Sequence, residues 1–412
     1  MTHPDRRTFL QSTAAAAAAF ALDAPLAAAP RLGPGQAPLR IGVIGAGRQG
    51  KAIMTELAKL ETAQVTAVCD DVPGRLRAGA RRQRGATAYD NANDLLAAAD
   101  VDAVAIATST HAHKEIVLRA LEHKKPVYCE APLAHTLEDS KAIVRAARGA
   151  GVVFQAGLLA RSDPIYKLAW SFHRAGVLQT LIALRAQDHQ KTSWRFPGSD
   201  EATERALNWR LDPQRSAGLP GELGTHQFDV LHWFCGQYPT SVRGRGSIRM
   251  YDDGRELHDT VSCQLQFPEG LDLSWSGTLG SSYDGRYETI AGSMGTMKLG
   301  WTAGWLFKEA EAPTQGWEVY ANRESFWNDT GITLIADATK LAKQGKLKDG
   351  VGLPHPPLYY ALLDFTNSAL TGAAVVCSAE EGHRATAVGL LAQQATRSGD
   401  VVAITAEDLQ VE

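Results

Sequence analysis

The run Leu39-Arg40-Ile41-Gly42-Val43-Ile44 leads straight into Gly45-Ala46-Gly47-Arg48-Gln49-Gly50, and the fold of this chain is read from these residues. The first six are short and apolar, as a buried strand is. The next segment, Lys51 to Leu60, sets Ile53, Met54, Leu57 and Leu60 on one helical face. A second apolar run, Val65-Thr66-Ala67-Val68-Cys69, ends at Asp70. A GxGxxG alone is weak evidence. Strand, glycine turn, helix, strand and terminal acid in this order spell a dinucleotide-binding unit. Gly45 makes the tight turn, Gly47 lets backbone amides approach a pyrophosphate, and Gly50 lets the helix pack on the sheet. Arg48 and Gln49 lie between the glycines at the helix N-terminus, which favours phosphate charge. Asp70 accepts hydrogen bonds from the ribose hydroxyls and repels a 2′-phosphate, so NAD is favoured; Arg75 and Arg77 leave NADP possible.

The alternation continues downstream. Val101–Ala107 reads as a buried strand, followed by a helical stripe of His113, Ile116, Val117, Ala120 and Leu121. Pro126–Cys129 is a strand, Thr136-Leu137-Glu138-Asp139 opens a helix, and Val152–Ala156 closes the unit. Strands alternating with helices predict an α/β fold with a doubly wound parallel sheet over 39–156. Ligands bind at the carboxyl ends of such strands, which places Thr108, Ser109 and Glu130 beside Asp70 as cofactor residues. His113 joins them by position, although its place on the apolar stripe equally fits a structural role. From 157 to 412 the period changes to two: Val261, Cys263, Leu265 and Phe267 alternate with polar residues, as do Leu271, Leu273 and Trp275. That predicts antiparallel strands with one buried face, closed by terminal helices within 358–398. Trp301, Trp305, Trp317 and Trp327 cluster nearby and would suit either sugar stacking or core filling.

Upstream of the glycine turn, Asp5-Arg6-Arg7-Thr8-Phe9-Leu10 precedes a mild apolar stretch and small residues at Ala27–Ala29. This reads as a twin-arginine signal over 1–29, engaging the Tat translocase and addressing the protein to the periplasm. Residues 30–38, rich in Pro and Gly, read as a linker. No apolar run reaches the roughly 18 residues of a membrane span, so no membrane insertion is expected after processing. The formal charge of −3, unchanged by removal of the leader, excludes the basic footprint of a nucleic-acid binder. Five cysteines form no CxxC pair and no metal-ligand spacing; no metal and no disulfide are expected.

Four stretches, Gly42–Gly50, Ala107–His113, Cys129-Glu130-Ala131-Pro132-Leu133 and Gly221–Asp229, occur in the order found in the glucose-fructose oxidoreductase / inositol dehydrogenase / MocA (Gfo/Idh/MocA) oxidoreductase family. A weaker fifth is Glu380–Ala385. The chain resembles that family from about residue 39 to 400. The resemblance implies a Rossmann domain, a C-terminal α/β domain with an open, mostly antiparallel sheet serving a homo-oligomer, and a carbohydrate or cyclitol substrate. It also implies a Glu-Lys-Pro lysine and an Asp-x-Gly-x-His pair near the reacting carbon. Here Ala131 stands where the lysine is expected and Glu222 where the aspartate is; His226 is kept.

Oxidising an alcohol requires a proton acceptor as well as a hydride acceptor, and a positioned base contributes about 10²–10⁴ in rate. His226 is the expected base, and Glu222, one helical turn before it, the expected orienting carboxylate. A helix over 222–234 would set Glu222, His226, Asp229 and Trp233 on one face. Arg161, His189, Lys191 and Asp229 are further substrate candidates; Tyr166 accompanies Arg161, while His189 and Lys191 also suit a solvated loop. Three readings follow: an oxidoreductase with tightly bound cofactor, an NAD-dependent glycoside hydrolase or lyase working by transient oxidation, and a non-catalytic binding protein.

Overall fold

The computed structural model describes residues 32, 36–315, 318, 322–324, 331–335 and 352–412. The expected leader, Trp317 and Trp327 lie outside the described residues. Six parallel strands, β1 (Leu39–Ile44), β2 (Ala63–Cys69), β3 (Thr87–Tyr89), β4 (Ala103–Ile106), β5 (Val127–Glu130) and β6 (Phe154–Gly157), form one sheet in the order β3-β2-β1-β4-β5-β6. The order reverses between β1 and β4, and at such a switch point the carboxyl ends of the strands open a crevice. The strands flanking it are apolar because helices cover both faces: Ile41, Val43, Val104, Ala105 and Ile106 are fully buried. Helix α1 (Arg48–Leu57) leaves the glycine turn. Then come α2 (Pro73–Arg82), α3 (Ala92–Ala97), α4 (His113–Glu122) and α5 (Leu137–Ala150), the last capped by Thr136 and ended by Gly151 in the left-handed conformation.

Helix α6 (Pro164–Arg174), capped by the Asp163 carboxylate, leads to a sheet of ten strands. These are β7 (Leu181–His189), β8 (Ser241–Ser247), β9 (Thr260–Gln266), β10 (Asp272–Thr278), β11 (Arg286–Gly292), β12 (Gly295–Gly300), β13 (Ala303–Lys308), β14 (Asn322–Glu324), β15 (Gly331–Leu334) and β16 (Val401–Ala403). All pair antiparallel except β7 with β10. After a short helix α7 (Glu201–Leu207), a π turn at Pro220–Gly224 runs into α8 (Thr225–Cys235). Phe228, Leu231 and Phe234 of α8 pack on Leu265, Leu273 and Trp275 of the sheet.

The two sheets do not divide the chain as cleanly as a cut at 156/157 implies. Helix α9 (Pro357–Thr371) returns to the first sheet, where Leu358, Leu362 and Phe365 cover Ile53, Met54 and Leu57 of α1. Helix α10 (Ala379–Ser398) runs along the seam: a Cβ on Gly382 would lie 2.7 Å from Ala156, and one on Gly389 2.5 Å from Thr225. An apolar face on α1 has to be covered, and residues three hundred positions away supply the cover. A final turn, α11 (Ala406–Leu409), follows β16. All five cysteines are free thiols, with Cys69, Cys129, Cys263 and Cys377 buried.

Candidate active site

A single cleft of about 530 Å³ runs from the glycine turn to the ten-stranded sheet. At its first end the turn is sterically determined. Gly45 has φ +95°, and a Cβ there would lie 2.5 Å from the Ala107 carbonyl; a Cβ on Gly50 would fall 1.7 Å from the Gly45 carbonyl. Asp70 closes β2 and accepts from the Ala46 and Val72 amides at 2.7 and 2.9 Å. It therefore ties the turn together while keeping lone pairs for a ribose. Burial raises its pKa and those two amides oppose the rise.

Gln49 donates to Glu130 at 2.9 Å, and the Tyr128 hydroxyl donates to the same oxygen at 3.3 Å, so the turn is braced against β5. Burial pushes Glu130 up to about 7. Arg48, Thr108 and Ser109 line the same end. His113 donates from Nδ1 to the Pro132 carbonyl at 3.1 Å, and burial lowers its pKa to about 4, leaving it a neutral ring.

At the other end stand His226 and Glu222, and they are not a pair. The Glu222 carboxylate accepts from Thr110 Oγ1 at 3.1 Å and from the Ala217 amide at 3.1 Å, and faces Arg210 at 3.5 Å. His226 Nδ1 has no hydrogen-bond partner, and its ring meets the edge of Trp301 at 6.0 Å. Burial, then the charge of Arg286, lower its pKa to about 3. Without a carboxylate beside it the ring does not gain the basicity that a base–orienter pair provides. The expected orienting role of Glu222 is corrected accordingly. Glu222 lies in the π turn, outside the α-helical register that would have stacked it with Asp229 and Trp233.

Family sequence models match both halves of the chain: "Oxidoreductase family, NAD-binding Rossmann fold" over residues 39–158 and "Oxidoreductase family, C-terminal alpha/beta domain" over 189–404. The chain belongs to the Gfo/Idh/MocA oxidoreductase family. Inositol 2-dehydrogenase of Acidothermus cellulolyticus is 29% identical over 63% of this chain and 72% of its own length. The 2,7-anhydro-N-acetylneuraminate hydratase of Escherichia coli is 27% identical over 63% and 67%. Levoglucosan dehydrogenase, solved with NADH and levoglucosan, superposes with a TM-score of 0.71 at 21% identity, over 89% of this chain and 99% of that one. The Gfo/Idh/MocA nucleotide domain binds NAD, and the residues here fit it: the turn leaves no space for side chains at Gly45 and Gly50 and opens onto the N-terminus of α1.

Several substrate candidates lie elsewhere in this Gfo/Idh/MocA chain. Arg161 and Asp229 grip each other, with Arg161 Nε and Nη2 donating at 2.9 and 2.8 Å and Glu381 as a further partner. Two buried opposite charges satisfy one another, which removes both from the cleft. His189 bonds Ser276 at 3.0 Å and Lys191 donates to the Gly280 carbonyl at 2.9 Å, neither bordering the cleft. Tyr166 is buried and donates to Glu288 at 2.5 Å. Strand alternation explains the placement: Leu184, Ala186 and Asp188 are the inward phase of β7, and Asp188 and Gln190 reach the cleft while His189 and Lys191 do not. Arg286 and Glu288 are likewise on the inward phase of β11, with Ile290. A charged residue in the apolar phase of a strand was the available signal. Trp301 borders the cleft, and Trp305 lies on β13.

Proposed function

We propose that this chain is an NAD-dependent oxidoreductase of a sugar or polyol. It is exported to the periplasm by the twin-arginine route with its dinucleotide already bound. The observation that carries the reading is the single cleft joining the glycine turn and Asp70 to His226 and the polar end wall. Bound NAD supplies the hydride acceptor. The turn and α1 hold its phosphates, Asp70 its ribose, and the neutral His226 ring hydrogen-bonds the substrate. A periplasmic enzyme has no access to the cytosolic cofactor pool, so turnover is redox-neutral, one sugar being oxidised and another reduced.

A second reading is cleavage by transient oxidation and elimination, with the hydride returned. Two observations favour it: Ala131 offers no side-chain base beside Glu130, and one relative is named a hydratase, whose net reaction is not a redox change. The test begins with protein isolated from the periplasmic fraction and denatured, its supernatant assayed for NAD. Absence of dinucleotide sinks the retained-cofactor reading. With NAD present, a panel of free sugars and aryl glycosides separates the two: sugar interconversion marks the oxidoreductase, and free aglycone without net NADH marks elimination.

A further inference from the structure

Strands β7 and β11 are neighbours, and Asp188 pairs in register with Arg286. Arg286 Nη1 lies 3.7 Å from Asp188 Oδ2, and its guanidinium stacks 3.6 Å above the Trp301 ring, which in turn meets His226. Along this contiguous wall four buried polar atoms have no hydrogen-bond partner: Asp188 Oδ2, Arg286 Nε, Trp301 Nε1 and His226 Nδ1. All four residues border the cleft, and Asp188 is 1% exposed. Buried polar atoms are rarely left unpaired, because each costs about 1–3 kcal/mol. Four together describe the complement of a ligand.

The donor inventory says what kind. A guanidinium Nε–H and an indole N–H only donate, a carboxylate only accepts, and a neutral imidazole does one or the other at Nδ1. The ligand must donate and accept at adjacent atoms, as neighbouring hydroxyls do and a carboxylate or phosphate does not. Charge agrees. Arg286 already faces Asp188 and Glu288, the latter held by Tyr166 and Gln227, so an anion entering here would meet two carboxylates. Of the buried carboxylates that border the cleft, Asp70, Glu130, Asp188 and Glu222, only Asp188 has a buried oxygen without a hydrogen-bond partner. Gln190 Nε2 fixes its orientation by donating to Oδ1 at 2.8 Å.

We propose that Asp188, Arg286, Trp301 and His226 clamp a neutral vicinal diol, and that Asp188 Oδ2 takes the hydroxyl proton when the alcohol is oxidised. In that step the C–H bond breaks with both electrons leaving as hydride to the nicotinamide. The O–H bond breaks, its proton goes to Asp188, and its electron pair completes the C=O bond. The assignment gives the carboxylate the proton-accepting task for which Ala131 has no group. It rests on the sugar or polyol reading above.

The test uses the holoprotein. It is titrated calorimetrically with myo-inositol, glucose, their deoxy and O-methyl analogues, and glucuronate; reduction of the bound NAD is followed in a single turnover. Neutral diols are expected to bind and to lose affinity when either neighbouring hydroxyl is removed. Asp188→Asn should slow reduction by about 10²–10⁴-fold with bound NAD content unchanged, measured at diol concentrations that saturate the variant. Arg286→Met should weaken diol binding by roughly tenfold or more; Arg286→Lys serves if the first variant does not fold. Reduction by Asp188→Asn at the wild-type rate overturns the clamp and leaves the sugar reading standing. So does tighter binding of glucuronate than of glucose. If no sugar, neutral or acidic, binds or reduces the cofactor, the sugar reading fails and the clamp with it.

Discussion

The nucleotide end of the cleft and the wall built by β7 and β11 treat their carboxylates differently. At the nucleotide end the carboxylates are already partnered: Asp70 holds two amides and Glu130 is held by Gln49 and Tyr128, while His113 donates from Nδ1 to Pro132 and keeps Nε2 without a hydrogen bond. On that wall Asp188, Arg286, Trp301 and His226 each keep a buried atom without a hydrogen-bond partner. The difference separates two kinds of binding site. A dinucleotide is gripped largely by backbone shape and a helix end, so the side chains there can serve to hold the turn rigid. A sugar is gripped by side chains, which must wait for it.

That comparison can be broken by substitution. The largest effect is expected for Gly50→Ala, whose methyl group would sit 1.7 Å from the Gly45 carbonyl. The clash is with backbone, so the turn must be rebuilt. Bound dinucleotide should be lost and stability reduced by on the order of 5 kcal/mol, read by cofactor content and denaturant unfolding. Retention of NAD by this variant would show that the turn does not depend on its shape.

Next comes Arg161→Met, which leaves Asp229 buried without a counter-charge and should cost about 3–5 kcal/mol. KM for any substrate found should stay unchanged. A raised KM at unchanged stability would return Arg161 to the substrate site.

His113→Asn tests the nucleotide end by pH. The folded state holds His113 at about 4, below the usual value of 6.5, so its contribution is full above pH 6.5 and is lost as pH falls from 6.5 to about 4. The wild type should therefore lose on the order of 3 kcal/mol more than the variant across that window. Glu130, raised to about 7, runs the other way, losing stability as pH rises from 4.5 to 7; it is common to both proteins and cancels in the difference. Parallel stability curves would contradict a neutral buried ring. The smallest effect belongs to Lys191→Ala, an exposed residue outside the cleft, at under about 0.5 kcal/mol with turnover unaltered.

Much of the nucleotide end was legible because its elements are consecutive. Strand, turn, helix and acid lie within residues 39–70, and local period and glycine spacing define them together. His226 was also legible, as a motif position, but its environment was not. Reading Glu222 as its partner assumed an unbroken α-helix, and the π turn at Pro220–Gly224 separates their tasks. Arg161 and Asp229 were misplaced for a related reason. Two opposite charges sixty-eight positions apart look like two binding groups until the fold brings them together. Asp188 and Arg286 each sit on the inward phase of a strand, but in the sequence Asp188 stands beside the more conspicuous His189 and Lys191, and Arg286 is almost a hundred positions away.

The linear order of residues by itself determined the doubly wound nucleotide domain, its dinucleotide site and the change of period that announces the second sheet. These rest on contacts between near neighbours, where spacing equals geometry. Only the tertiary structure decided that α9 and α10 cover the nucleotide half, that Glu222 serves Thr110 and Arg210 instead of His226, and that Asp188, Trp301 and Arg286 meet His226 on one wall. Those contacts join strands and helices far apart in the chain. Whether a buried charge ends up paired or open to a ligand depends on which partner the packing sets beside it.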